Sequence, residues 1–411
     1  MKRVLFSFCL LMIFILTSCD EDKDENLTTV AVPVTQSIAD FRASVKIQEP
    51  KTIKESGKIY AWKDYIFIND KNDGIHIIDN TDPYNPENIK FLKIPRNMDI
   101  AIKDEKLYAD NGMDLVVFDI SNINNIQETG RLKDVFPNYY GVAPQGVSYV
   151  DFENFDPQKE VIIGYITETR KIEYTYYDDW GPFFEAASDG ANGGNTGTGG
   201  SMARFSLQSN YLYVAEDNFL SVFDITNPSN PDQLSSEYAG QRIETIFNYQ
   251  DHLYLGSATG MYIYSIENPS TPQQVSFLQH VLGCDPVVVK DNYAYVTIRG
   301  GNECGQNFNE LDVVDISNKQ DPKIKNSYEM QNPYGLGVKD NWLFVCDGEA
   351  GLKVFNIENT PELEYINQFS NINTYDVIPL DDKLLMVGNN TLYQYSYKGD
   401  EINLISTFTM N

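Results

Sequence analysis

The chain of 411 residues holds 59 acidic against 31 basic side chains, and its histidines are three, His76, His252 and His280. Acyl transfer through a Ser/His/Asp triad needs a nucleophile on a sharp turn within reach of a histidine. These histidines are scattered, and no G-x-S-x-G elbow accompanies them. Zinc needs Cys and His ligands at short spacing, and there is no C-x-x-C pair, so no metal is expected. Asn69-Asp70-Lys71-Asn72-Asp73-Gly74 puts a lysine where a calcium loop needs a ligand. The run G-A-N-G-G-N-T-G-T-G-G follows no strand–helix pattern, so it is no phosphate cradle and implies no cofactor. Glycoside cleavage asks only for two carboxylates at a fixed separation. With so many acids the sequence singles out no pair, and that chemistry stays open.

The organisation around these residues is repetitive. An apolar strand followed by Asp-Ile/Thr-Ser-Asn and often Pro recurs, as in L-V-V-F-D-I-S-N from Leu115, L-S-V-F-D-I-T-N-P-S-N-P from Leu220 and L-D-V-V-D-I-S-N from Leu311. Aligned copies put Asp79, Asp119, Asp224, Ser265, Asp315, Asn356 and Ser396 in register, at spacings of 40, 105, 41, 50, 41 and 40 residues. Before each lies a polar turn and a second apolar strand, such as D-E-K-L-Y-A-D-N-G or D-N-W-L-F-V-C-D-G. Such paired phrases at a forty-residue period predict an all-β fold, a β-propeller of about seven four-stranded blades, with six as the alternative count. The 27 tyrosines and 22 phenylalanines agree with strands. An Asx side chain at a strand-to-turn junction caps backbone N–H groups two residues on, so the recurring aspartates are expected to be structural rather than ligating.

The blocks from Leu115, Leu220 and Leu311, with C-D-P-V-V-V-K-D-N-Y-A-Y-V-T-I-R-G-G-N-E-C and N-P-Y-G-L-G-V-K-D-N-W-L-F-V-C-D-G, resemble the LVIVD repeat of bacterial surface and lipoprotein propellers. The resemblance covers about residues 57–411 apart from one insertion. It implies a propeller scaffold at a cell surface and no particular activity.

The chain starts with Lys2 and Arg3 and an apolar run over residues 4–16, the pattern of a signal peptide. That run falls short of the roughly 20 residues of a spanning helix. Leu16-Thr17-Ser18-Cys19 resembles the bacterial lipobox, which implies removal of residues 1–18 and acylation of Cys19. Residues 20–25, all but one of them acidic, are similar to the signal that sends some lipoproteins to the outside of the outer membrane. Residues 19–43 are expected to be a flexible acidic tether. Loss of Lys2 and Arg3 leaves 29 basic against 59 acidic groups, a charge of −30. Nucleic acid and anionic head groups are repelled by such a surface, so contact with the membrane is expected through acyl chains only.

Export implies an oxidising compartment. Cys284 and Cys304 both lie in turn-like sequence, and a Cys284–Cys304 disulfide is expected, contributing roughly 3 kcal/mol by loop-closure entropy. Cys346, inside W-L-F-V-C, reads as a small buried hydrophobe. The 105-residue spacing contains one repeat and an insertion at about residues 134–201. Its alternating stretch V-I-I-G-Y-I-T-E-T-R-K-I-E-Y-T-Y-Y-D-D-W is expected to form an outward hairpin, followed by a mobile glycine-rich loop at 189–201. Tyr174, Tyr176, Tyr177 and Trp180 could stack on a sugar or a partner, or pack the hairpin onto its blade. Residues 44–49 and 402–409 are expected to meet in one blade and close the ring.

The function this supports is a surface-anchored, non-enzymatic scaffold binding an envelope protein or a glycan. The alternatives are a polysaccharide-degrading enzyme with paired carboxylates in the propeller funnel, and a structural subunit of an envelope complex. Cys19→Ala is expected to move the protein from the membrane fraction to the soluble fraction on cell fractionation. Retention of the variant in the membrane would contradict lipid anchoring at this cysteine.

Overall fold

The computed structural model describes residues 27–137, 141, 143–171, 198–279, 286–300, 308–398 and 401–410. These residues divide into two compact units. The first comprises the described parts of 1–35 and 141–182, the second those of 36–140 and 183–411.

In the second unit each forty-residue phrase folds as four antiparallel strands. Blade one runs Ser56–Trp62, Tyr65–Asp70, Gly74–Asp79 and Glu87–Lys93, and blade two Ile100–Lys103, Lys106–Asn111, Asp114–Asp119 and Gln127–Leu132. Blade three starts at Phe205–Gln208 and continues into Tyr211–Asp224, a single run that turns back at Asp217 with φ 51° and supplies two strands. The long strand Asp232–Tyr249 is the outer strand of blade three in its first half and the inner strand of blade four in its second. Blade four is completed by His252–Ser257, Gly260–Ser265 and Gln273–Gln279. Blades five, six and seven occupy Val287–Glu329, Leu336–Phe369 and Asp376–Thr409, each as one four-stranded sheet.

The local code is visible in the hydrogen bonds. Asp79, Asp119, Asp224, Asp315 and Asn356 each accept the N–H two residues on, at 2.7–3.0 Å. Ser265 does the same with its hydroxyl at 3.3 Å. Lys106 at 2.6 Å and the Ser121 hydroxyl and N–H hold the Asp119 carboxyl down at about 2, and Ser317 does the same for Asp315. Asp119 and Asp315 are thus ionised caps. Ser396 departs from the pattern, since its hydroxyl points to the Asn403 carbonyl.

Each joint between blades holds an apolar cluster, and the seven clusters form a closed series. The closing one packs Ile59, Ile66, Ile68 and Ile78 of blade one against Ile378, Leu385, Val387 and Leu392 of blade seven. Ile53 N–H reaches the Met410 carbonyl at 2.9 Å, and Gln394 pairs with Asn80. The ring therefore closes by abutting two complete blades, and the expectation that residues 44–49 and 402–409 share one blade is corrected. Blade seven already owns its outer strand, Glu401–Thr409, and leaves no vacancy. The other segment, Lys46–Gln48, instead adds an exposed fifth strand outside Glu87–Lys93.

The tether expectation is also corrected beyond residue 26. Leu27–Ser37 is a strand, and Ile38–Ala43 a short helix, α1, capped by Ser37 and anchored by buried Phe41. Its Arg42 holds Asp114 at 2.8 Å and Asp134 at 2.7 Å. In the first unit Leu27–Ser37 lies between Tyr149–Val150 and Glu160–Lys171, so the expected hairpin sequence pairs, over its described part, with a strand from far earlier in the chain. Val30, Ala31, Val161 and Ile162 are its buried residues.

Leu385→Ala, at the closing joint, is expected to cost about 2–5 kcal/mol, as large-to-small changes in a packed core do. Chemical denaturation checks this, and a loss below half a kilocalorie would contradict the closure described.

Candidate functional site

Antiparallel order puts the loops after the second and fourth strands of every blade on one face, where the inner strands also begin. On that face acidic side chains at strand ends gather the N–H groups of the incoming loops. Asp70 accepts from Lys54 and Glu55 at 3.2 and 3.0 Å, Asp347 from Gln331 and Asn332 at 2.9 and 2.8 Å, and Asp110 from Met98 and Asp99 at 2.9 Å. Burial works against the Asp70 carboxylate, but His76 at 3.3 Å and the two N–H groups prevail and bring it to about 2. Asn88 faces the other His76 ring nitrogen at 3.2 Å, so this buried Asp–His pair is a closed network with no nucleophile. Asp110 is driven the other way, up to about 7, because burial outweighs its hydrogen bonds.

The axis itself is filled by the chain. Thr198 and Gly199, at the returning end of the insertion, pair with Ala61 and Tyr60 on the inner strand of blade one. Gly200 then passes so close to Asp376 of blade seven that a Cβ there would lie 2.0 Å from a carboxylate oxygen. Ser201 Oγ accepts the Leu336 N–H of blade six at 2.7 Å. The Ala203 carbonyl accepts from Ile246 of blade four at 3.1 Å, and that of Arg204 from Ala215 of blade three at 2.8 Å. Asp99 of blade two takes the N–H groups of Arg204 and Phe205 at 2.5 and 3.0 Å. Residues 198–205 thus bond to or pack against six blades. The expectation of a mobile loop is corrected for 198–201, whose glycines serve close approach rather than freedom.

The funnel carboxylates are consequently internal. Asp376 is fully buried and pushed up to about 7 by that burial, and Asp99 faces buried Lys58 at 3.4 Å. Beside them lies a water-sized cavity between blades one and two, lined by Lys58, Tyr60, Asn69, Asn97 and Asp99 among others. A sugar ring does not fit there.

Cys19, the Cys284–Cys304 pair, and Tyr174, Tyr176, Tyr177 and Trp180 lie outside the described residues. Cys346 is fully buried, with its thiol pushed well up by burial. His76 and His252 stand in blades one and four, and no group of three His, Cys, Asp or Glu side chains suited to a metal occurs among the described residues. Sequence reasoning missed Lys58, Asp99, Asp376 and the filled axis. The visible signal was small: the glycines and serine of 199–201 stand directly before the inner strand of a blade.

The family model for the LVIVD repeat matches residues 96–134, 199–239 and 284–330. No curated protein sequence matches the chain. Among solved structures, a protein from Lactobacillus plantarum is similar at 11% identity and TM-score 0.52, over 89% of this chain and 96% of that one. The computationally designed Ika8 protein is similar at 12% and 0.51, over 89% and 91%. Saccharomyces cerevisiae Sqt1 is similar at 8% and 0.50, over 89% and 88%. At these identities the likeness concerns the fold alone.

Gly200→Ala is expected to cost about 1–3 kcal/mol by overpacking the axis, whereas Gly164→Ala, whose Cβ meets nothing within 4 Å, leaves the melting temperature unchanged. Equal melting of the two variants would remove the axial contact.

Proposed function

We propose that this LVIVD-repeat β-propeller is a lipid-anchored surface protein that binds a protein or glycan partner without transforming it. The observation that carries the reading is the filled axis. A funnel enzyme needs its carboxylates in an open cleft, and here Gly200 covers Asp376 while Asp99 is committed to the N–H groups of Arg204 and Phe205. The recurrent aspartates, the other obvious acids, are spent on turns. What the fold leaves for recognition is the loop face at the mouth of the axis, together with the insertion that departs after blade two. Such loops on a rigid scaffold are where binding residues concentrate. The −30 charge of the processed chain keeps the protein off anionic surfaces, and acylated Cys19 holds it at the membrane.

The test is a pull-down from native envelopes and a glycan array, both with the detergent-extracted full-length protein. Deletion of residues 141–182 spares the axial segment and separates binding by the first unit from binding by the propeller face. A specific partner or glycan retained at physiological salt is the expected result. Hydrolysis of any glycan on the array, abolished by Asp376→Asn, would overturn the proposal in favour of the enzyme.

A further inference from the structure

Around the mouth of the axis, four consecutive blades contribute an arc of cations and tyrosines. Arg299 follows the second strand of blade five, Tyr334 and Tyr375 precede the inner strands of blades six and seven, and Lys71 follows the second strand of blade one. By the antiparallel order all four belong to the same face. The Arg299 guanidinium sits 4.4 Å from the centre of the Tyr334 ring. The Tyr334 and Tyr375 rings are 5.3 Å apart and tilted by 48°, and Lys71 Nζ lies 5.1 Å from the centre of the Tyr375 ring. The backbone beneath is fixed. Tyr334 N–H bonds to the Cys346 carbonyl at 2.7 Å, Tyr375 N–H to Val387 at 2.9 Å, and Gly335 N–H to the Tyr375 carbonyl at 3.0 Å. The Thr297 hydroxyl donates to the Tyr334 carbonyl at 2.9 Å, and the Asn332 amide to its hydroxyl at 3.3 Å.

One charge in this arc, that of Arg299, is out of keeping with the rest of the described chain. Elsewhere on this face cations are consumed by acids: Arg42 and Arg131 by Asp114, Lys51 and Lys54 by Asp73, Lys353 by Asp347. Lys71 has Glu55 at 2.7 Å. Arg299 makes no hydrogen bond or ion pair with any described residue, in a protein with nearly two acids per base. A guanidinium stacked on an aromatic ring is held in orientation by that ring, and its planar N–H edge matches a carboxylate bidentately. Tyrosines beside it offer C–H-binding surface and hydroxyls at low entropic cost.

The geometry points to a site for a carboxylate-bearing sugar, of the hexuronic or sialic type, at the end of a glycan, with its carboxylate on Arg299 and its ring against Tyr334 and Tyr375. The net charge argues for a sugar rather than an acidic protein. A polyanionic surface would be repelled by the rest of the chain, whereas a single terminal acid on a neutral glycan meets this cationic arc. Lys71 supplies the second positive charge, shared with Glu55. The assignment rests on the binding-scaffold reading above and narrows it to one ligand class.

Ligand-detected NMR titration of the full-length protein tests this, with a glucuronate-terminated disaccharide and its neutral glucose-terminated counterpart. The acidic sugar is expected to bind at least roughly tenfold more tightly than the neutral one, the worth of one bidentate charge-assisted contact. Arg299→Gln should remove that preference and Lys71→Met weaken it, both with unchanged melting temperature. Arg299→Lys should restore it only in part. Equal binding of the two sugars, binding of neither, or an acidic preference that survives Arg299→Gln would overturn the assignment. So would an oligoglutamate peptide that displaces the acidic sugar with higher affinity. A partner captured from native envelopes with no sugar bound would overturn this assignment alone and leave the scaffold reading standing.

Discussion

The second unit depends on closure of its ring. A blade buries its flat faces only against two neighbours, so six well-packed joints with a seventh open would expose two apolar sheet faces to water. Ile59, Ile66 and Ile78 against Ile378, Leu385 and Leu392 make that last joint as apolar as the others. The joint relies on that side-chain packing, on the Asn80–Gln394 amide pair and on the backbone bond from Ile53 to Met410. The chain running along the axis adds a second constraint, because residues 198–205 tie six blades to one another from the inside.

That axial segment follows the insertion in the chain. Gln127–Leu132 ends blade two, the described residues of 141–171 belong to the first unit together with 27–35, and the described chain resumes at Thr198 on the axis. Arg42 of α1 binds Asp134 where the departure begins, so one guanidinium fastens both the incoming segment and the start of the excursion. A scaffold that fills its own channel has spent its most enclosed polar space on stability. Under the proposed reading recognition falls to the rim, where Arg299 stacks on Tyr334 and Lys71 shares its charge with Glu55.

The blades were legible because their code is local and repeated. An alternating strand, a polar hairpin turn and an Asx cap recur every forty residues, and each can be read without knowing what packs on it. Asp79, Asp119 and Asp224 do what their position between strand and turn suggests. The first unit was not legible, since Leu27–Ser37 pairs with strands more than a hundred residues away and T-T-V-A-V-P-V-T has no partner strand near it in sequence among the described residues. The axial role of 198–205 was hidden for a related reason. Glycine and serine read as a loop in sequence, yet the same small residues are what a backbone needs to pass within contact of Asp376 and the inner strands. Asp99 and Asp376 carry no signal among 59 acids, because burial and partners are properties of the closed ring rather than of any stretch of chain.

The most direct test of this account is native-state hydrogen exchange at the amides of Arg204 and Phe205. Both donate to Asp99 at the axis, so they should exchange only through global unfolding, as slowly as the inner-strand amides of blades one and two. Exchange at the rate of an open loop would mean that the segment is not seated, that the funnel is accessible, and that the scaffold reading loses its foundation.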